Sequence, residues 1–166
     1  MTKNSVQMHG QEKILEFMRR VEQTAGDHSK LWNNLGDLLV HNTQERFRTG
    51  IGTDDKPWQK SWRAQVQGGQ TLRDTGRLMN SIFVKVTGSR ISVGTNAIYA
   101  PMMHFGGTIK PKNGEYLKFK TPLGGWAQLK SVTIPARPFL GISVDDSQEI
   151  LFEIEDYLTE LFKNAK

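Results

Sequence analysis

The residues with the widest chemical range in this chain are four histidines, His9, His28, His41 and His104. A helix-borne zinc site needs two of them three or four residues apart, and a thiolate site needs cysteine. No pair has that spacing, and the absence of cysteine also rules out a disulfide framework. His104 can be drawn with Ser81 or Ser92 and an aspartate as a hydrolytic triad. Neither serine sits in a nucleophile elbow, and a structural role for His104 is the stronger expectation. The run Gly50-Ile51-Gly52-Thr53-Asp54-Asp55-Lys56 is glycine-rich and ends on a lysine. It lacks the Gly-Lys-Ser/Thr ending of a phosphate loop, no strand precedes it, and Asp54 and Asp55 repel phosphate. A calcium loop needs more oxygen ligands than it holds. The chemistry-bearing residues therefore predict no catalytic group, no metal and no cofactor: a protein that is not an enzyme.

The elements that would carry these residues are helical at both ends. Ile14, Leu15, Met18 and Val21 recur at helical spacing over Gln11–Gln23, and Gly26 and Asp27 break the pattern. Asp27 can cap a second helix, from about Ser29 to Arg48, striped by Leu31, Leu35, Leu38, Leu39 and Phe47. Thr49 to Gly69 reads as a loop, punctuated by Gly50, Gly52 and Pro57. Thr71 to Ser81 is a short helical turn. Ile82 to Val93 is the best hairpin, alternating on both arms of Thr87-Gly88-Ser89. A short helix over Ile98–His104 stops at Gly106 and Gly107. Residues 108–131 read as a projecting hairpin or loop, with a strand at Tyr116–Phe119, a turn at Pro122–Gly125 and a return strand at Val132–Ile134. The last helix starts at Ser143, with Asp146 as its capping-box partner, and presents Ile150, Ile154, Tyr157, Leu158 and Leu161 as its apolar face.

The chain has 166 residues, 37% hydrophobic and 23% charged, which predicts one folded, soluble domain over residues 1–166. Residues 1–10 are polar, carry no signal-peptide run and are expected to be disordered. No stretch approaches the ~18 apolar residues of a membrane span, so no membrane partner is expected. The net charge of +5 is unevenly spread. Arg46–Arg137 holds 15 Lys and Arg against 4 Asp and Glu, a net of +11, whereas Pro138–Lys166 nets −5. Three readings stay open: a nucleic-acid surface on the middle segment, an acidic tail helix docking on a neighbour's basic face, or packing within one chain.

Three motifs stand in order within the basic middle. The first is Leu72-Arg73-Asp74-Thr75-Gly76-Arg77-Leu78-Met79-Asn80-Ser81-Ile82. Thr75 can cap a turn around Gly76, Leu78 and Ile82 can anchor it, and Arg73 and Arg77 can share an exposed face. The second is Val93-Gly94-Thr95 followed by Tyr99-Ala100-Pro101-Met102-Met103-His104-Phe105-Gly106-Gly107. Tyr99 suits a wet interface, and Phe105 is an apolar anchor before a flexible backbone. The third is Ile134-Pro135-Ala136-Arg137-Pro138-Phe139-Leu140-Gly141. Pro135 and Pro138 stiffen it and hold Arg137 extended, ready for a carboxylate. Phe139 can plug the core, and Gly141 lets the chain turn into the last helix. Upstream, Trp58 and Trp62 flank Lys60 and precede Arg63. Either both rings pin the loop to the body, or they form an aromatic-basic surface for a partner or DNA.

Taken together, these motifs resemble the phage virion-morphogenesis family, the tail-completion and head–tail joining proteins of long-tailed phages, over roughly Phe47 to Leu158. The family pattern reads Tyr-Ala, two variable residues, His, one more, then Phe-Gly-Gly. Here Met103 occupies the histidine's place and His104 follows it, so no role passes to His104. The resemblance implies a non-enzymatic structural protein that completes or terminates the tail and helps join it to the head. It would act as a homo-oligomeric ring, possibly a hexamer, touching tail-tube and neck proteins, with DNA passing a basic lumen. The protein would reside in the virion's tail or neck, and in the host cytoplasm during assembly. A head-side connector of the neck is the nearest alternative, and a nucleic-acid-binding module is the alternative of another class. The expected fold is α+β: a mostly antiparallel sheet around Ile82–Val93 and Tyr116–Ile134, with the N- and C-terminal helices packed on it. Trp58, Trp62, Arg73, Arg77, Tyr99, Phe105 and Arg137 are the expected interface residues. Gly76, Gly106, Gly107, Pro135, Pro138, Phe139 and Gly141 are expected to pin the fold.

Overall fold

The structure, a computed structural model, describes residues 11–24 and 26–164. The expectation for residues 1–10 falls outside them. The fold is α+β, and among the described residues the strands pair as three separate two-stranded sheets. The described residues group into two compact units. One is built from the chain up to Glu45, Ile82–Gly94 and the chain from Leu140 on. The other is built from Arg46–Ser81 and Thr95–Phe139. Both draw on separated stretches, so the linear sequence offers no boundary between them.

In the first unit, α1 (Gln11–Glu22), most of α2 (Ser29–Thr49) and α6 (Val144–Asn164) enclose an apolar core. Ile14 and Val21 of α1, Leu31, Trp32 and Leu35 of α2, and Ile150 and Ile154 of α6 form its centre. All but Trp32 are helical-period positions of the sequence, so burial of the stripes drives the packing, although Leu15, expected on the α1 stripe, is exposed. The caps work as their residue types suggest. Asp27 Oδ1 accepts the Ser29 N–H at 2.9 Å. At the start of α6, Asp146 Oδ2 accepts the Ser143 N–H at 2.6 Å, and Ser143 Oγ accepts the Asp146 N–H at 3.2 Å, a reciprocal capping box. His28 ties the helix ends together, with Nδ1 2.8 Å from the Tyr157 hydroxyl and Nε2 3.1 Å from Thr24 Oγ1.

The hairpin of β1 (Ile82–Thr87) and β2 (Arg90–Thr95) turns over Gly88 and Ser89. Helix α2 approaches it closely at Gly36, where an added Cβ would lie 2.9 Å from Val84 Cγ2 and 3.4 Å from Val86 Cγ2. Gly36 interrupts a good helix pattern, and this approach explains its presence.

The second unit carries α3 (Trp62–Val66), α4 (Arg77–Asn80), α5 (Ala100–Phe105) and two small sheets. Strand β3 (Gly107–Ile109) pairs antiparallel with β6 (Val132–Ile134), and β4 (Leu117–Lys120) pairs antiparallel with β5 (Trp126–Leu129). The return partner of β4 is thus β5, not Val132–Ile134, and β6 reaches back to β3, which begins on the second of the paired glycines, Gly107. Sequence alternation marked β4 and β6 as strands but paired them with each other, a register that short, half-exposed strands specify only weakly.

Replacing Gly36 with Val should destabilise the protein by about 1–3 kcal/mol through overpacking against Val84 and Val86. Chemical denaturation checks this, and wild-type stability would mean that the helix and hairpin can move apart without cost.

Candidate functional site

The site grows from the junction of the second and third motifs. Helix α5 begins with Pro101 in its first turn and ends on Gly106 at φ 69° and ψ −177°, a region essentially restricted to glycine. A Cβ there would stand 2.6 Å from Ala136 N and 2.7 Å from Ile134 O. Main chain therefore packs on main chain, and no side chain of any size fits between. The Arg137 N–H is shared between the carbonyls of Met103 and His104, each at 3.1 Å. Beyond the junction the ladder continues as Gly107 opposite Ile134, Thr108 opposite Thr133 and Ile109 opposite Val132.

An aromatic core lies behind this junction. Phe139 is fully buried, 5.2 Å from the Phe47 ring and 5.0 Å edge-on from the His104 ring. Phe47 in turn meets Trp58 at 5.7 Å. The Arg46 guanidinium donates to the Phe139 carbonyl at 3.4 Å. His104 Nδ1 accepts the Phe139 N–H at 3.3 Å, which requires an unprotonated Nδ1. Burial lowers the His104 pKa below its ordinary value. His104 is thus a core histidine that holds the third motif in place.

On the other side of the junction is an open cleft of about 610 Å³. The segment from Gln59 to Arg63 forms one wall. It leads into α3, where Ser61 Oγ accepts the Ala64 N–H at 3.2 Å as the N-cap. Leu72 and Asp74–Leu78 of the first motif line the cleft too, together with Tyr99, Met103, Val132–Pro135 and Arg137. Leu72 has φ 63°, a left-handed conformation that costs a non-glycine residue about 1–2 kcal/mol. Arg63 braces it, donating to the Gln70 carbonyl at 2.6 Å and to the Arg73 carbonyl at 3.2 Å. Gly76, at φ 78°, turns the chain into α4, and Thr75 Oγ1 accepts the Arg77 N–H at 3.3 Å.

The cleft is cationic. Lys60, Arg63, Arg77 and Arg137 line it, with Asp74 the single acid, 3.6 Å from Arg63. Arg137 is 4% exposed. Its guanidinium donates from Nε to the Gln59 carbonyl at 3.0 Å and lies at the hydrogen-bonding limit from Pro135 O at 3.5 Å. Desolvation pulls its pKa below the ordinary value, yet an arginine remains charged at neutral pH. Among the described residues no carboxylate pairs with it.

Of the expected interface residues, Trp62, Arg77, Tyr99 and Arg137 meet in this cleft, and Gly76 and Pro135 help line it. Trp62 and Tyr99 are 46% and 39% exposed. Trp58 is different: at 7% exposure it belongs to the aromatic core, and it precedes α3, so the two tryptophans share no helical face. Arg73 is exposed outside the lining, hydrogen-bonded to Gln70 Oε1 at 2.8 Å. Phe105 is exposed as well, edge-on to His104 at 4.4 Å. Pro138 accepts the Thr53 N–H at 3.2 Å, closing the Gly50–Trp58 turn that superficially resembles a phosphate loop. Gly107 and Gly141 both adopt positive φ, at 152° and 148°. Reading the sequence did not single out Leu72 or Met103 as cleft residues, and nothing local marks a leucine for φ above zero.

Two outcomes follow from this geometry. Gly106→Ala should cost roughly 2–4 kcal/mol, from the forbidden backbone and the main-chain clash together, and a loss under about 0.5 kcal/mol would contradict the close approach. His104 takes up its proton in the unfolded chain first. Its contribution to stability is therefore complete above pH of about 6.5 and is lost as pH falls from there through the lowered folded-state pKa. The melting temperature of wild type should fall more steeply below that pH than that of His104→Asn, which keeps an acceptor near Nδ1 but does not titrate. Parallel curves would contradict the buried neutral imidazole.

Comparison with known proteins places the chain. A Mu-like prophage protein of Haemophilus influenzae, FluMu G protein 2, is 28% identical over 159 residues, covering 95% of this chain and 98% of that protein. No solved structure matches the chain. The model of the phage virion morphogenesis family matches residues 10–159, which include all three motifs and the whole cleft. The chain belongs to the phage virion morphogenesis family.

Proposed function

We propose that this protein completes the phage tail and helps join it to the head, as a subunit of a closed ring at the tail terminus. One observation carries the reading: residues of all three motifs meet in one open cleft that is lined by exposed aromatic rings and cations. Such a lining suits the contact surface of an assembly protein, where amphipathic aromatics and arginine dominate binding. Family membership and the Mu-like prophage relative support a role in the particle. The mechanism is geometric. A ring stacks on the tube end, stops its growth and presents a surface to the next component. Contacts that are modest singly become strong when symmetry repeats them. The cationic stretch Arg46–Arg137 suits a lumen traversed by DNA, a sequence-independent and salt-sensitive contact.

Deleting the gene should leave filled heads and unjoined tails in lysates, and labelled protein should map to the head–tail junction of complete particles. Arg77→Glu changes an exposed cleft residue. It should leave thermal stability at the wild-type level while lowering particle yield by about tenfold or more, the effect of one lost contact of ordinary strength. Normal particles from the deletion, or a normal yield from Arg77→Glu, would contradict the proposal.

A further inference from the structure

The cleft holds a charge that its own walls do not answer. Among the described residues, Arg137 is nine-tenths buried and bonded only to main-chain carbonyls, with Lys60, Arg63 and Arg77 also lining the cleft and Asp74 its sole acid. A buried cation without a carboxylate is costly, and an incoming carboxylate would offset that cost. The lining between the charges is apolar: Trp62, Leu72, Tyr99, Met103 and Ile134. A fitting occupant must therefore bring acidic groups beside a large apolar side chain.

The chain itself carries such a segment. On α6, Asp145, Phe152, Asp156 and Thr159 follow at spacings of seven, four and three residues, which puts them on one side of the helix. All four are exposed, and Phe152 is 70% exposed although the opposite face of the helix is buried. Glu155 stands beside them, also exposed. The segment from Pro138 nets −5, against +11 for Arg46–Arg137.

We infer that this cleft receives the acidic face of α6 from a second copy of the chain, with Phe152 against Trp62 and Tyr99 and the carboxylates of Glu155 and Asp156 toward Lys60, Arg77 and Arg137. Such a contact is heterologous: each copy offers a helix and a cleft, and repetition closes a ring when the rotation permits. The inference rests on the ring reading above and supplies its subunit contact.

Charge reversal tests it on the full chain, by sedimentation velocity over a range of protein and salt concentrations. Wild type should associate, and more weakly as salt rises. Lys60→Glu with Arg77→Glu, and separately Glu155→Lys with Asp156→Lys, should each weaken association by about tenfold or more. All four residues are exposed, so both doubles should fold. Mixing the two doubles, or combining all four changes in one chain, should restore association. Unchanged association in either double, or no restoration, overturns the inference. A wild-type chain that stays monomeric at every concentration, or that associates only on purified tails, overturns it too and assigns the cleft to another protein. Location in the particle is a separate readout. Protein at the head–tail junction that assembles without this contact retires the contact alone, whereas protein absent from the junction retires the proposed function whatever the masses show.

Discussion

The second unit depends on one close approach, that of the Gly106 backbone to the backbone of Ile134–Ala136. The distances leave no room for a Cβ, and the conformation of Gly106 is one that only glycine adopts readily. Several features follow from it. The Arg137 N–H reaches the last carbonyls of α5, satisfying groups that a helix end leaves open. The β3–β6 ladder starts in register at Gly107 and Ile134. Phe139 is delivered to the core beside Phe47, and the Arg137 side chain is left facing the cleft. A structure held by main-chain contact tolerates no slippage, which suits a surface that must repeat identically from subunit to subunit.

The cleft combines order with local discomfort. Leu72 sits in a left-handed conformation held by Arg63, and Arg137 carries a charge into a desolvated wall with no carboxylate partner among the described residues. Both features cost stability. Strain of this kind persists where surrounding contacts over-determine it, and it gathers at places that bind something. The His104 side, by contrast, is fully conventional: a neutral imidazole accepting a main-chain N–H among aromatic rings.

Much of the fold was legible because it rests on local rules. The helical stripes of α1, α2 and α6, the Ser143–Asp146 capping box and the Gly88–Ser89 hairpin follow from spacing and side-chain chemistry. The short helix α3 was not legible. Its signal is Ser61 as a cap and five residues between polar stretches, too little for periodicity to register. The partner of β6 is β3, far back in sequence, which alternation cannot supply, and β5, just across a turn from β4, is four mostly exposed residues without a clear alternation. In the site, the motifs identified Gly76, Arg77, Tyr99, Pro135 and Arg137, and the upstream tryptophan pair identified Trp62; these converge. The sequence does not separate Trp58, which is buried, from Trp62 four residues later, since both lie in the same polar, basic context. The role of Gly36 emerges only once the hairpin is packed on α2.

The claim at the centre of this account is that the cleft built on the Gly106 junction is covered when the particle assembles. Amide hydrogen exchange, compared between the free protein and the protein in purified particles, tests it most directly. The account predicts new protection across Gln59–Arg63, Asp74–Leu78, Tyr99 and Val132–Ile134, while the Arg137 amide, already bonded to Met103 and His104, is slow in both. Unchanged exchange along the cleft, with new protection confined to other surfaces, would contradict it.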